Sequence, residues 1–178
     1  MRIVVPLLAV GLLTLGGLWL TGRDEKQALP ETLCGTRVDP DLLKPLLPPD
    51  AAVSEENNVD RESPRPSSWC LVSADGETAI RLRFAWHSDR LDPLKVANST
   101  SSVSQLEVPE RVKISEGRAV VGNSGTIATT SCKTEGGSHF TLSVLLEGVN
   151  ATADTYRSSL EKFMRAYFPA TVRTLSCD

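Results

Sequence analysis

W-C-L-V at 69–72, D-G at 75–76 and A-I-R-L-R-F-A-W at 79–86 decide the fold. Ile80, Leu82, Phe84 and Trp86 alternate with Ala79, Arg81, Arg83 and Ala85, which puts one set on each face of a strand. Asp-Gly between two such runs is the signal of a tight turn, so the stretch reads as a β-hairpin with one buried face.

The same theme returns further along. Thr129 to Lys133 reads as a strand around Cys132, Gly136-Gly137 as a turn, and Phe140, Leu142, Val144 and Leu146 as the buried face of the next strand. In both halves apolar residues fall 10, 12 and 14 positions after the cysteine, Ile80, Leu82 and Phe84 after Cys70, and Leu142, Val144 and Leu146 after Cys132. A duplicated strand unit produces such spacing.

Working outward, Asp39-Pro40 is a helix start with Asp as N-cap and Pro at the first helical position. Leu42, Leu43, Leu46 and Leu47 then share a face, and Pro48-Pro49 ends the helix. Residues 51–68 offer few apolar groups and read as a mobile loop, in which Pro64 and Pro66 form a stiff connection; residues 98–104 read as a polar linker. Tyr156, Leu160, Phe163, Met164 and Tyr167 fall at helical spacing, with Thr152 or Asp154 as N-cap and Pro169 as the stop. Thr171 to Cys177 then returns as a terminal strand. The fold class is α+β, antiparallel β-hairpins covered on one face by helices.

Ahead of this domain, Ile3 to Gly22 is a run of 20 residues without an ionisable side chain, long enough to cross a hydrocarbon core of about 30 Å. The run exceeds the apolar length of a cleaved signal, and Trp19-Leu20-Thr21-Gly22 lacks a small-x-small cleavage site. Residues 1–23 are therefore expected as a transmembrane signal-anchor, 24–33 as a tether and 34–178 as the domain. Arg2 on one side and Arg23 and Lys26 on the other leave the orientation open. Four cysteines behind an export-type start set it, because disulfides persist in oxidising compartments. The domain is expected outside the cytoplasm, with Cys34 bonded to Cys70 and Cys132 to Cys177, one bridge in each half.

Without Arg2 and Arg23 the exported part carries 17 basic against 22 acidic side chains, a net charge of −5. That balance argues against nucleic acid and anionic lipid as partners. Gly122-Asn123-Ser124-Gly125 looks like the nucleophile turn of trypsin-like proteases, with His87 and Asp92 upstream. Only 37 positions separate His87 from Ser124, too few for that two-barrel scaffold, and Thr126 breaks the alternative G-x-S-x-G elbow. The chain has two histidines, His87 and His139, and no C-x-x-C, so a metal site is not expected. Arg81 and Arg83 project together and could hold a carboxylate or phosphate, although a solvated sheet face accounts for them. Asn98-Ser99-Thr100 and Asn150-Ala151-Thr152 fit the glycosylation acceptor pattern.

The N-terminal apolar run, a cysteine at the domain start, the Trp69-Cys70 strand entry and the ending in helix, strand and cysteine resemble small exported or membrane-anchored proteins of actinobacteria, whose functions are unknown. The resemblance spans 34–178 and implies a place in the cell envelope. No catalytic, cofactor or metal residue is expected. The expectation is a single-pass protein of the cell membrane whose external domain binds a protein or small ligand without catalysis. The alternatives are an accessory subunit pairing through the glycines at 11, 16 and 17, and an extracytoplasmic hydrolase using His87 with Asp89 or Asp92 and a serine.

Overall fold

The computed structural model describes residues 29–99 and 105–177. In chain order its elements are β1 (Thr32–Leu33), β2 (Thr36–Arg37), α1 (Pro40–Leu43), β3 (Val53–Asn57), β4 (Ser67–Ala74), β5 (Glu77–His87), α2 (Pro93–Ala97), β6 (Glu110–Val112), β7 (Arg118–Val121), β8 (Gly125–Thr134), β9 (Gly137–Leu146) and α3 (Arg157–Val172). β1 and β2 form a small ribbon, and the other seven strands form one antiparallel sheet ordered β3-β4-β5-β9-β8-β7-β6.

The two hairpins are the middle of that sheet. β4 turns into β5 at Asp75 and Gly76, whose φ values of 52° and 86° are both positive, as a type I′ turn requires. The hairpins join along β5 and β9, in register from Ile80↔Leu146 to His87↔His139. Paired residues share a face, so Ile80, Leu82, Phe84 and Trp86 lie beside Leu146, Val144, Leu142 and Phe140, all buried. α3 closes this inner face with Leu160, Phe163, Met164 and Phe168; the Phe140 and Phe168 rings stack at 5.9 Å and Trp86 lies 4.8 Å from Phe140.

The shared spacing after the two cysteines is not a shared pairing. Cys70 faces Leu82, twelve positions on, whereas Val144, twelve after Cys132, faces Thr126. Cys132 falls in an irregularity between Ser131 and Thr134, close to its turn, so the duplicated-unit reading fails on register.

Residues 51–68 are likewise not a loose loop. Val53–Asn57 adds as edge strand β3 to β4, which costs no burial because an edge strand can keep its side chains in water. Arg61 then ties the following turn down: its guanidinium donates to the Cys34 carbonyl and to the Thr36 and Thr174 hydroxyls and lies 5.3 Å from the centroid of the Phe84 ring. Pro64 is buried, and Trp86 N–H donates to the Pro66 carbonyl at 2.9 Å.

At the start of α1, the Asp39 carboxylate accepts from the Asp41 N–H at 3.0 Å; a 3-10 turn over Lys44–Leu46 follows, and the chain leaves at Pro48-Pro49. At the C-terminus α3 runs through Pro169 to Val172, and residues 173–177 form turns instead of a strand. Pro169 removes only the hydrogen bond to the carbonyl of Arg165, an exposed position where water can replace it. Neither Thr152 nor Asp154 caps α3 with its side chain: Asn150 Oδ1 accepts from the Thr152 N–H, and the Asp154 carbonyl accepts from the Arg157 N–H. The helices are also not confined to one face, since α2 covers Val120 and Ile127 on the outer face in a smaller cluster with Ala97 and Leu106.

Disulfides join Cys34 to Cys70 and Cys132 to Cys177 over separations of 36 and 45 residues. Residues 3–22 lie outside the described residues, as do 100–104 of the polar linker; among the described residues no helix is long and apolar enough to cross a membrane.

Replacing both Cys132 and Cys177 by serine should lower the unfolding free energy by about 4 kcal/mol, the loop-closure term of the chain-entropy model. Urea titrations of the variant and the parent measure it, and a change under about 1 kcal/mol would show that the bridge is incidental to stability.

Candidate functional site

A large concavity opens where the 39–50 segment passes the end of the central strand pair. Four prolines decide its chemistry: Pro40, Pro45, Pro48 and Pro49 line one wall of a groove of about 830 Å³, and proline offers no N–H donor. Leu46, Leu47 and Ala51 supply buried apolar lining. Ala79, Val149 and Tyr156 come from the start of β5 and the connection between β9 and α3, with Leu29 also lining the groove. Charge is limited to Lys44, Asp50 and Glu147, and Glu147 is held by Arg81 at 3.0 Å. A concave apolar surface with a few charged groups is the ordinary form of a ligand site, and its volume lies in the usual range of roughly 300–1,000 Å³. Sequence reasoning reads the leucines here as one helix face and misses the groove, because it forms only when the proline segment meets the β9–α3 connection.

The residues that could make a hydrolase are not brought together. Gly122-Asn123-Ser124-Gly125 is the β7–β8 turn, closed by Gly122 N–H donating to the Gly125 carbonyl at 2.8 Å. Asn123 is buried and structural, accepting from Arg157 at 2.8 Å and donating to the Ala151 carbonyl at 3.1 Å. The Ser124 carbonyl accepts from Leu146 N–H at the Ile80 end of the central pair. His87 stands at the other end of β5, seven residues and roughly 23 Å away at a strand's rise of about 3.3 Å per residue. Asp92 caps α2 by accepting from Leu94 N–H and binds Arg111 at 2.8 Å, which holds its carboxyl below the usual range. The charged groups acting on His87 are Arg83 and His139, with no carboxylate among them.

His87 and His139 face each other across β5 and β9. Burial first, then the positive fields of Arg83 and His139, lower the pKa of His87. His139 Nδ1 is buried without a hydrogen-bond partner among the described residues. Arg81 and Arg83 do not act as a pair, because Arg81 binds Glu147 and Arg83 Nε donates to Ser67 Oγ at 3.2 Å. Cys34, Cys70 and Glu55 lie together at metal-site distances, but both sulfurs are in the disulfide and Glu55 accepts from Cys34 N–H at 2.7 Å. That chemistry leaves no thiolate to bind an ion.

No family model, curated protein or solved structure matches this chain.

The lowered pKa of His87 makes a signed prediction. The folded state takes up the His87 proton less readily than the unfolded chain, so this contribution to stability is complete above about pH 6.5 and is lost as the pH falls through the folded value. Denaturant midpoints should therefore drop between pH 7 and pH 5, and His87→Gln should flatten that slope; an unchanged slope would remove His87 as the cause.

Proposed function

We propose that this chain is a membrane-anchored binding module of the cell envelope, with its ligand seated in the proline-walled groove and no catalytic chemistry of its own. The groove carries the reading: it is a large, mostly apolar concavity, while His87 and Ser124 stand toward opposite ends of the central strand pair and Asp92 is bound to Arg111. The apolar run at 3–22 supports attachment to the membrane, with the domain on the extracytoplasmic side where two disulfides persist. A protein or small amphiphile presenting an apolar segment fits a wall rich in proline and leucine, while Lys44 at the groove sets its orientation. The acidic charge of the exported part argues against nucleic acid as a partner.

Two measurements test the two halves of the reading. N-terminal sequencing of the mature protein should begin at Met1 or Arg2, and a start near residues 23–30 would replace the anchor by a cleaved leader. For the groove, the full chain in uncharged micelles should bind an apolar naphthalene-type fluorophore saturably. Val149→Glu, at a half-buried lining position, should weaken that binding at least tenfold with unfolding unchanged. Equal binding by parent and variant would empty the groove of a role.

A further inference from the structure

Away from the groove, the outer face of the sheet gathers a set of side chains that the reading above does not use. Arg118 pairs with Thr129, which pairs with Thr141; in the adjoining row Ser131 pairs with His139, which pairs with His87. Cross-strand partners share a face, and so do residues two apart on a strand. Arg118, Thr129, Ser131, His139 and His87 therefore look out from the same side, opposite the α3 core. Arg90, in the connection from β5 to α2, reaches back over them and donates from Nη2 to Ser131 Oγ at 3.3 Å.

Between the two arginines lies a pocket of about 180 Å³, lined by Arg90, Gly117, Arg118, Thr129, Thr130 and Ser131. At roughly 30 Å³ per water in the liquid, that is space for a tetrahedral oxyanion and a few waters. Gly117 makes it possible: its φ is +109°, and a Cβ there would meet the Thr129 carbonyl at 2.2 Å. The lining contains two guanidiniums and the exposed Ser131 hydroxyl but no carboxylate, the Thr129 hydroxyl being taken up by the Phe140 carbonyl and Thr141. Asp92, whose charge reaches Arg118, is itself bound to Arg111 at 2.8 Å. Each guanidinium has five N–H donors in a planar fork, and the one hydrogen bond of Arg90 to Ser131 leaves most of its set available.

We infer that this pocket is a binding site for a phosphate-type oxyanion, held by Arg90 and Arg118 with the Ser131 hydroxyl. The inference is independent of the groove and of the membrane anchor. The overall acidity of the domain does not oppose it, because binding depends most on the charges that line the pocket, and those are positive. The anion can be free phosphate or a phospholipid headgroup, since both present the same oxygens.

The test uses the full chain in uncharged micelles, titrated with inorganic phosphate by calorimetry at pH 7 and constant ionic strength. Saturable binding is expected, with the His139 ring resonances shifting along the same isotherm. Arg90→Gln and Arg118→Gln should each weaken it about tenfold, the scale of a lost charge-assisted hydrogen bond. Arg118→Lys should recover part of the loss, and Arg81→Gln, which removes a guanidinium already bound to Glu147, should leave affinity unchanged. Flotation with phosphatidylglycerol vesicles against phosphatidylcholine vesicles separates the sources: binding that Arg118→Gln abolishes assigns the headgroup, and its absence beside phosphate binding assigns the free anion. No saturable binding to either, or binding indifferent to the combined Arg90→Gln and Arg118→Gln change, would overturn the site.

Discussion

The structure depends on covering one face of the β5–β9 pair. Eight large apolar side chains from these two strands point to the same side, and an antiparallel sheet by itself leaves that side in water. α3 is the element that removes it. Its apolar stripe stacks Phe168 on Phe140, and Leu160, Phe163 and Met164 join the same core. Phe140 touches Phe84, Trp86 and Phe168 together, so shrinking it would open a cavity bounded by three rings, a change that costs about 3–5 kcal/mol in a close-packed core.

A helix over the middle of a seven-stranded sheet leaves the periphery to be fastened by other means. The β1–β2 ribbon is too short to hold itself, and it is attached by bonds that include the Cys34–Cys70 bridge to β4, the Tyr167 hydroxyl donating to the Leu33 carbonyl at 2.7 Å, and Arg61 donating to the Cys34 carbonyl. Burial raises the Tyr167 pKa to about 12, which keeps that donor protonated at any physiological pH. Burial lowers the pKa of Arg61, yet an arginine remains charged, and among the described residues a carbonyl, hydroxyls and an aromatic face surround the charge. At the other end, Arg157 plays the matching part, donating to the carbonyls of Val121 and Val108 and so binding the start of α3 to the far strands.

What could be read in advance follows the range of the forces involved. The β4–β5 hairpin, the Asp39 cap and the apolar stripe of α3 are each specified within a dozen residues, so periodicity and turn chemistry reveal them. β3 could not be read that way: Ser54, Glu55, Glu56 and Asn57 have no strand pattern, and only the waiting edge of β4 makes them extended. Nor could Pro169, which sits three residues from the end of α3, where the helix carries on through Val172 despite the lost hydrogen bond. The equal cysteine spacings misled for a related reason, since spacing along the chain is blind to register, and an irregularity beside Cys132 moves that hairpin relative to the first. Both concavities were equally hidden, because the residues lining each come from segments far apart in sequence.

The central strand pair also separates the two concavities. Ala79 and Glu147, beside the Ile80↔Leu146 end, line the apolar groove, whereas His87↔His139 ends the pair in the row of Ser131, to which Arg90 donates. The strands between are roughly 23 Å of rigid ladder at about 3.3 Å per residue, well beyond a Debye length of about 8–10 Å. Charge bound at one end is therefore screened from the other, and side-chain changes so far apart, with no shared partner, act additively. Coupling between the two would need a second arrangement of the ladder itself. With α3 packed on one side of the sheet and α2 on the other, the two concavities are separate features of one ladder, so occupying one proposed site should leave the other unchanged.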